Sequence, residues 1–137
     1  MNYNFNKMIY LNNILIVDDD DITNFITKSH LGKLGFKNFK SVSNGRKAIE
    51  YITTNQDPDI ILLDLNMPVM DGWEFLEERK RLNLCPHAKI YLVTSSGRTE
   101  DKMKAAQYDN VKDYVEKPLN CDQLSQTFIK INSCLED

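Results

Sequence analysis

The chain has 137 residues, 42% of them hydrophobic, which is enough for one sizeable core and leaves no room for a second domain. A net charge of -3 and an isoelectric point near 5.4, with no cluster of lysine or arginine, exclude nucleic acid as an expected partner, because no basic stripe is available to neutralise phosphates. The 3 cysteines (Cys85, Cys121 and Cys134) are odd in number and lack metal-like spacing, which suits reduced thiols in a cytoplasmic protein.

Residues 1–11 read as an Asn-rich, aromatic-containing tail without a pattern, and 12–137 as the domain. The apolar stretch from Met8 to Val17 is broken by Asn12 and Asn13 and runs into consecutive aspartates, Asp18 to Asp21. It has no small-residue cleavage site, so it is no signal peptide, and no stretch is long enough to span a membrane. Ile14 to Val17 is the first expected strand. The helix after it carries Ile22, Phe25, Ile26 and Leu34, is capped by Asp21 and stops at Gly35. Phe39 to Val42 is the second strand. Asp59 to Leu63, fully apolar from Ile60, is the third, and reads as buried on both faces, as parallel strands covered by helices are.

Asp71 and Gly72 open a third helix with Phe75, Leu76, Arg79 and Leu82 on one side, and Trp73 is expected to pack at its start. Lys89 to Thr94 and Asp113 to Glu116 complete the strands, with Lys102 and Lys104 on the solvated face of the helix between them. Leu124, Phe128, Ile131 and Leu135 mark the last helix. Strand and helix alternate throughout, so the class is α/β. Right-handed crossovers and a single sheet make a doubly wound five-stranded parallel sheet, order 2-1-3-4-5, the economical topology. Its switch point falls between the strands tipped by Asp18/Asp19 and by Asp64, where open α/β sheets bind ligands.

Carboxylates gathered in one crevice repel one another, at roughly 4 kcal/mol for two unit charges 4 Å apart at an effective dielectric near 20. A divalent cation relieves that. Oxygen ligands without histidine or cysteine favour Mg²⁺, which keeps several waters and accepts a phosphate oxygen. The fourth strand ends in Thr94, Ser95 and Ser96, and the fifth leads to Lys117 and Pro118. A hydroxyl and an ammonium there complement phosphoryl oxygens, and Asp64 is the natural nucleophile for an aspartyl-phosphate.

The segments IVDDD, DLNMPVMDG, YLVTSS and YVEKPL, in that order, resemble the receiver domain of two-component response regulators, the CheY-like superfamily with a flavodoxin-like fold. The resemblance covers residues from about 12 to 135. It implies that Asp64 accepts a phosphoryl group from a sensor histidine kinase or a histidine phosphotransfer protein. It further implies that Mg²⁺ is held by Asp18, Asp19, Asp64 and the backbone carbonyl of Asn66, with Asp19 the direct ligand and Asp18 acting through water. Lys117 would pair with Asp64 before transfer, Thr94 would swing to the phosphoryl oxygen, and Tyr114 would turn inward as the switch aromatic. Asn66 and Ser96 occupy the positions that tune phosphoryl lifetime, and Pro118 permits the family's cis bond after the lysine.

The same resemblance implies a cytoplasmic monomer or weak homodimer that signals to a protein target. With nothing following Asp137, it would be a stand-alone receiver without an output domain. Two other readings compete. Haloacid-dehalogenase-like phosphatases also use a strand-tip aspartate with Mg²⁺, but they need a second aspartate two positions on, where this chain has Asn66, so no turnover of phosphomonoesters is expected. A pseudo-receiver scaffold would have lost acidic or lysine positions that are all present. His30 and His87 read as ordinary helix and loop residues.

Overall fold

The computed structural model describes residues 11–95, 97–117 and 119–127. The expectations placed on Ser96, on Pro118, and on Phe128, Ile131, Cys134 and Leu135 lie outside these residues. Strands β1 (Asn13–Val17), β2 (Asn38–Val42), β3 (Ile60–Leu63), β4 (Lys89–Thr94) and β5 (Val111–Glu116) form one parallel sheet in the order β2-β1-β3-β4-β5. Between them run α1 (Asp21–Leu34), α2 (Gly45–Thr54), α3 (Gly72–Arg81) and α4 (Thr99–Ala105), and residues 121–127 form the helix α5 after β5. The topology is the expected one. No helix among the described residues is long and apolar enough to cross a membrane.

Two-residue alternation along the strands sends side chains to opposite faces, and both faces are covered. Leu15, Val17, Ile61, Leu63, Ile90 and Leu92 pack under α2, α3 and α4, against Ala48, Ile52, Phe75, Leu76 and Ala105. Ile14, Ile16, Ile60, Leu62, Tyr91 and Val93 pack on the other face with Leu31 of α1 and Leu124 of α5. Each fully buried Leu, Ile or Phe removes enough apolar surface from water to contribute about 1.5–3 kcal/mol. The central strands therefore anchor whatever sits at their tips.

Three local expectations need correction. The apolar positions Ile22, Phe25 and Ile26 of α1 face solvent, at 71%, 72% and 41% exposure, while Asn24, Thr27 and Leu31 point inward. Asn24 is drawn in because its amide donates to the backbone carbonyl of Asp18 at 2.9 Å. The cap of α1 is Asp20, not Asp21: its carboxylate accepts from the Ile22 N–H at 3.0 Å and the Thr23 hydroxyl at 2.8 Å, and Asp21 is the first helical residue. Strand β5 begins at Val111, two residues before the expected start, because a bulge at the pairing of Ile90 and Tyr91 skips Lys112 and breaks the two-residue alternation. The starts of β1, β2 and β3 move by one residue, within ordinary fraying, and β4 starts at Lys89 as expected.

Elsewhere the start and stop signals act as read. Gly35, at φ 104°, closes α1 and donates its N–H to the carbonyls of Gly32 and Leu31. Asp71 and Glu74 form a reciprocal capping box at the start of α3. Arg79 is buried on α3, where it donates to the Leu84 carbonyl at 3.0 Å and to Asn110 at 3.4 Å, while Leu82 ends outside, 41% exposed. Trp73 packs at the start of α3, half-buried, stacked on Tyr108 at 6.2 Å with the Lys104 ammonium 4.4 Å from its ring centre.

Candidate functional site

The sheet order brings the ends of β1 and β3 side by side, with Val17 paired to Leu63, so Asp18 and Asp64 emerge as neighbours. The ladder continues past the strands: Asp18 N–H donates to the Val42 carbonyl and Asp64 N–H to that of Val17. Both side chains are nearly inaccessible, and Asp19 stands beside them exposed. One carboxylate oxygen from each of the three lies within 4.8 Å of the others. Asp18, Asp19 and Asp64 could thus hold a small divalent cation, and an all-oxygen donor set with one open flank suits Mg²⁺.

Lys117 closes the site. Its backbone N–H donates to the Thr94 carbonyl at 2.8 Å, extending the β4–β5 ladder, and this aims the ammonium back over β1 and β3. The ammonium lies 2.6 Å from Asp18 and 3.5 Å from Asp64. The expected pairing with Asp64 is therefore present but secondary, and Asp18 is the nearer partner. Both oxygens of Asp18 are already engaged, one by Lys117 and the other by the Asp20 N–H at 2.9 Å. Among the described residues, Asp64 accepts a long bond from the Asn66 N–H, 3.3 Å, besides its contact with Lys117.

The charges are uneasy in this arrangement. Burial, then the Asp18 carboxylate, pushes the Asp64 carboxyl up to about 6, against the opposing pull of Lys117. Burial works against the charge on Lys117 too, but its hydrogen bond to Asp18 and the two carboxylate charges outweigh burial and raise it above the ordinary lysine value. The site holds more negative charge than one ammonium neutralises.

Thr94 is fully buried at the end of β4, and the Asn66 amide, itself on an exposed residue, reaches its hydroxyl at 3.5 Å. Tyr114 is half-buried on β5 and packs against the core on the α2–α4 face, with the Lys102 ammonium 5.8 Å from its ring centre. Lys102 also bridges to Glu116 at 3.3 Å.

Two residues that shape this site were not expected to belong to it. Asn24 anchors the backbone of Asp18 from inside α1, a position indistinguishable by type from a surface asparagine. Gly72 matters through space: a Cβ there would lie 2.6 Å from the Asp64 carbonyl oxygen and 2.8 Å from the Leu65 Cα, both backbone atoms that cannot swing away. Gly72→Ala is expected to cost about 1–3 kcal/mol by overpacking against the strand tip. A urea melt of the variant checks this, and an unchanged midpoint would show that the loop gives way freely.

A doubly wound sheet whose switch point carries three clustered carboxylates, two of them bridged by a lysine, defines a class of flavodoxin-like domains with an acidic crevice at the strand ends. Within that class the chain belongs to the response regulator receiver domain family, whose model matches residues 14–129. It is 32% identical to the chemotaxis protein CheY of Bacillus subtilis over 85% of this chain and 94% of that one. It is 30% identical to the two-component response regulator 24 of Arabidopsis thaliana over 86% and 82% of the two chains. A crystal structure of a two-component response regulator from Cytophaga hutchinsonii superposes with a TM-score of 0.75 at 31% identity, covering 88% of this chain and 96% of that one. The chain is thus a phosphorelay receiver domain.

Proposed function

We propose that Asp64 is the phosphoacceptor and that the domain works as a Mg²⁺-dependent switch in the cytoplasm. It would take its phosphoryl group from a phosphohistidine on a sensor histidine kinase or histidine phosphotransfer protein and signal to a protein target. The observation that carries this reading is the convergence of Asp18, Asp19 and Asp64 within 4.8 Å under the Lys117 ammonium. Of the two buried acids Asp64 is the less tightly held, with contacts of 3.3 and 3.5 Å, whereas Asp18 is engaged at 2.6 and 2.9 Å. Mg²⁺, when bound by Asp19, Asp64 and the Asn66 carbonyl, with Asp18 reaching it through water, would neutralise the charge that gathers on the phosphoryl oxygens.

The carboxylate oxygen of Asp64 attacks phosphorus, the bond to the donor nitrogen breaks, and the phosphoryl group ends on Asp64 beside Lys117. Thr94 would then turn its hydroxyl toward the new oxygens, and Tyr114 would follow inward. Asn66 and Ser96 would set how readily water reaches the acyl phosphate. Supporting a protein donor, the exposed apolar row Ile22, Phe25 and Ile26 lies on α1, the helix that begins just past Asp18–Asp20. No catalytic turnover beyond loss of its own phosphoryl group is proposed.

A small phosphodonor such as acetyl phosphate, with Mg²⁺, is expected to add one phosphoryl group per chain. Intact-protein mass spectrometry reads it, and chelation by EDTA should prevent it. Uptake that persists undiminished in EDTA would refute the metal dependence, and no uptake under any condition would refute the acceptor.

A further inference from the structure

On the face of the sheet covered by α1 and α5, the side chains of His30 and Cys121 meet, with Nδ1 of the imidazole 2.9 Å from Sγ. Each stands one residue from, or one turn before, a buried leucine: Leu31 and Leu124 are 0% and 1% exposed and share one hydrophobic cluster. That packing fixes the helix seam and with it the separation of sulfur and nitrogen. Both polar groups keep partial access to solvent at the rim of the seam. A thiol with an adjacent imidazole as base, held by packing and reachable from outside, is the arrangement of an activated sulfur nucleophile.

We propose that Cys121 is a modification site for small sulfur-directed electrophiles, hydroperoxides first among them, with His30 as its base. The Cys121 proton passes to Nδ1, the tautomer with hydrogen on Nε2 being the one that can accept it. Sulfur attacks the hydroxyl oxygen of the peroxide, the O–O bond breaks, and the departing oxygen takes the proton to leave as water or an alcohol. Sulfur gives up two electrons and becomes a sulfenic acid; the peroxide gains them. The new oxygen would lie in the α1–α5 seam. This inference is independent of the phosphoryl chemistry proposed above, and either can fail without the other.

Cys85 is the internal control. It is 3% exposed, and burial pushes its thiol up to about 11, so it should stay inert in the folded chain. The experiment uses the full chain with Cys134→Ser, limiting hydrogen peroxide, dimedone to trap sulfenic acid, and peptide mass spectrometry. Label is expected at Cys121 and not at Cys85, and Cys121 should react roughly tenfold or more faster in the native protein than in urea. His30→Gln, its fold checked by circular dichroism, should bring the native rate down toward the unfolded one. Equal native rates with and without the His30→Gln substitution would overturn the proposal. Should that variant not fold, a native Cys121 no faster than the unfolded one would overturn it alone.

Discussion

Asp64→Asn is expected to abolish phosphoryl uptake and at the same time to make the fold more stable at neutral pH, by about 3 kcal/mol in the absence of divalent cation. The loss of uptake follows because an amide is no nucleophile toward phosphorus. The gain follows from the position of the side chain: at 5% exposure and facing Asp18, the carboxyl is pushed up to about 6. A group whose value is raised on folding binds its proton more tightly in the folded state. Its favourable contribution is therefore complete below the ordinary carboxylate range and is lost as pH rises through about 6. Asparagine does not titrate, so the two proteins should be nearly equal around pH 4, diverge through pH 6 and hold a constant gap above pH 7.

Urea melts at those three values isolate the effect, since the other ionisable groups are common to both chains. Equal midpoints above neutrality would mean that the Asp64 charge is comfortable, and the account of the crevice would be wrong. Added Mg²⁺ should narrow the gap, because only the parent gains the full binding energy of three carboxylates. The rate of phosphorylation in the parent should climb over the same window, as the nucleophilic form appears.

The site is legible in the sequence because its acids stand at strand tips on either side of the switch point. Asp18, Asp64 and Thr94 sit at the ends of apolar strands and Lys117 at the end of the mixed strand β5, and in a parallel sheet the strand ends converge by topology alone. Strand identity, sheet order and crevice composition followed from that regularity. What did not follow was decided by contacts remote in the chain. Helix α1 offers two arcs at helical spacing, Ile22–Phe25–Ile26 and Asn24–Thr27–Leu31, and hydropathy alone selects the wrong one. The Asp18 carbonyl that fixes Asn24 inward lies outside the helix and is not a property of it. Likewise, nothing in the order of residues tells Lys117 to prefer Asp18 over Asp64; the choice is made by the ladder bond from Lys117 to Thr94 and the direction it gives the side chain.

Lys117→Ala is expected to cost about 2–4 kcal/mol without divalent cation, and to increase the stabilisation that Mg²⁺ provides. The ammonium lies 2.6 Å from Asp18 and 3.5 Å from Asp64, both nearly buried, and removing it leaves two facing carboxylates with no counter-charge. Loss of one partner from a buried pair costs about 3–5 kcal/mol; the lysine side chain is 18% exposed, so water entering its place recovers part of that. Because the ammonium and Mg²⁺ draw on the same carboxylates, they compete. Deleting the first should strengthen the second, and the melting temperature of Lys117→Ala should rise further with Mg²⁺ than that of the parent. Asp19→Asn should do the opposite and blunt the rise, since it removes an exposed acid that Lys117 does not touch. Melts across a Mg²⁺ titration separate these cases, and identical responses in all three proteins would place the cation somewhere other than between Asp18, Asp19 and Asp64.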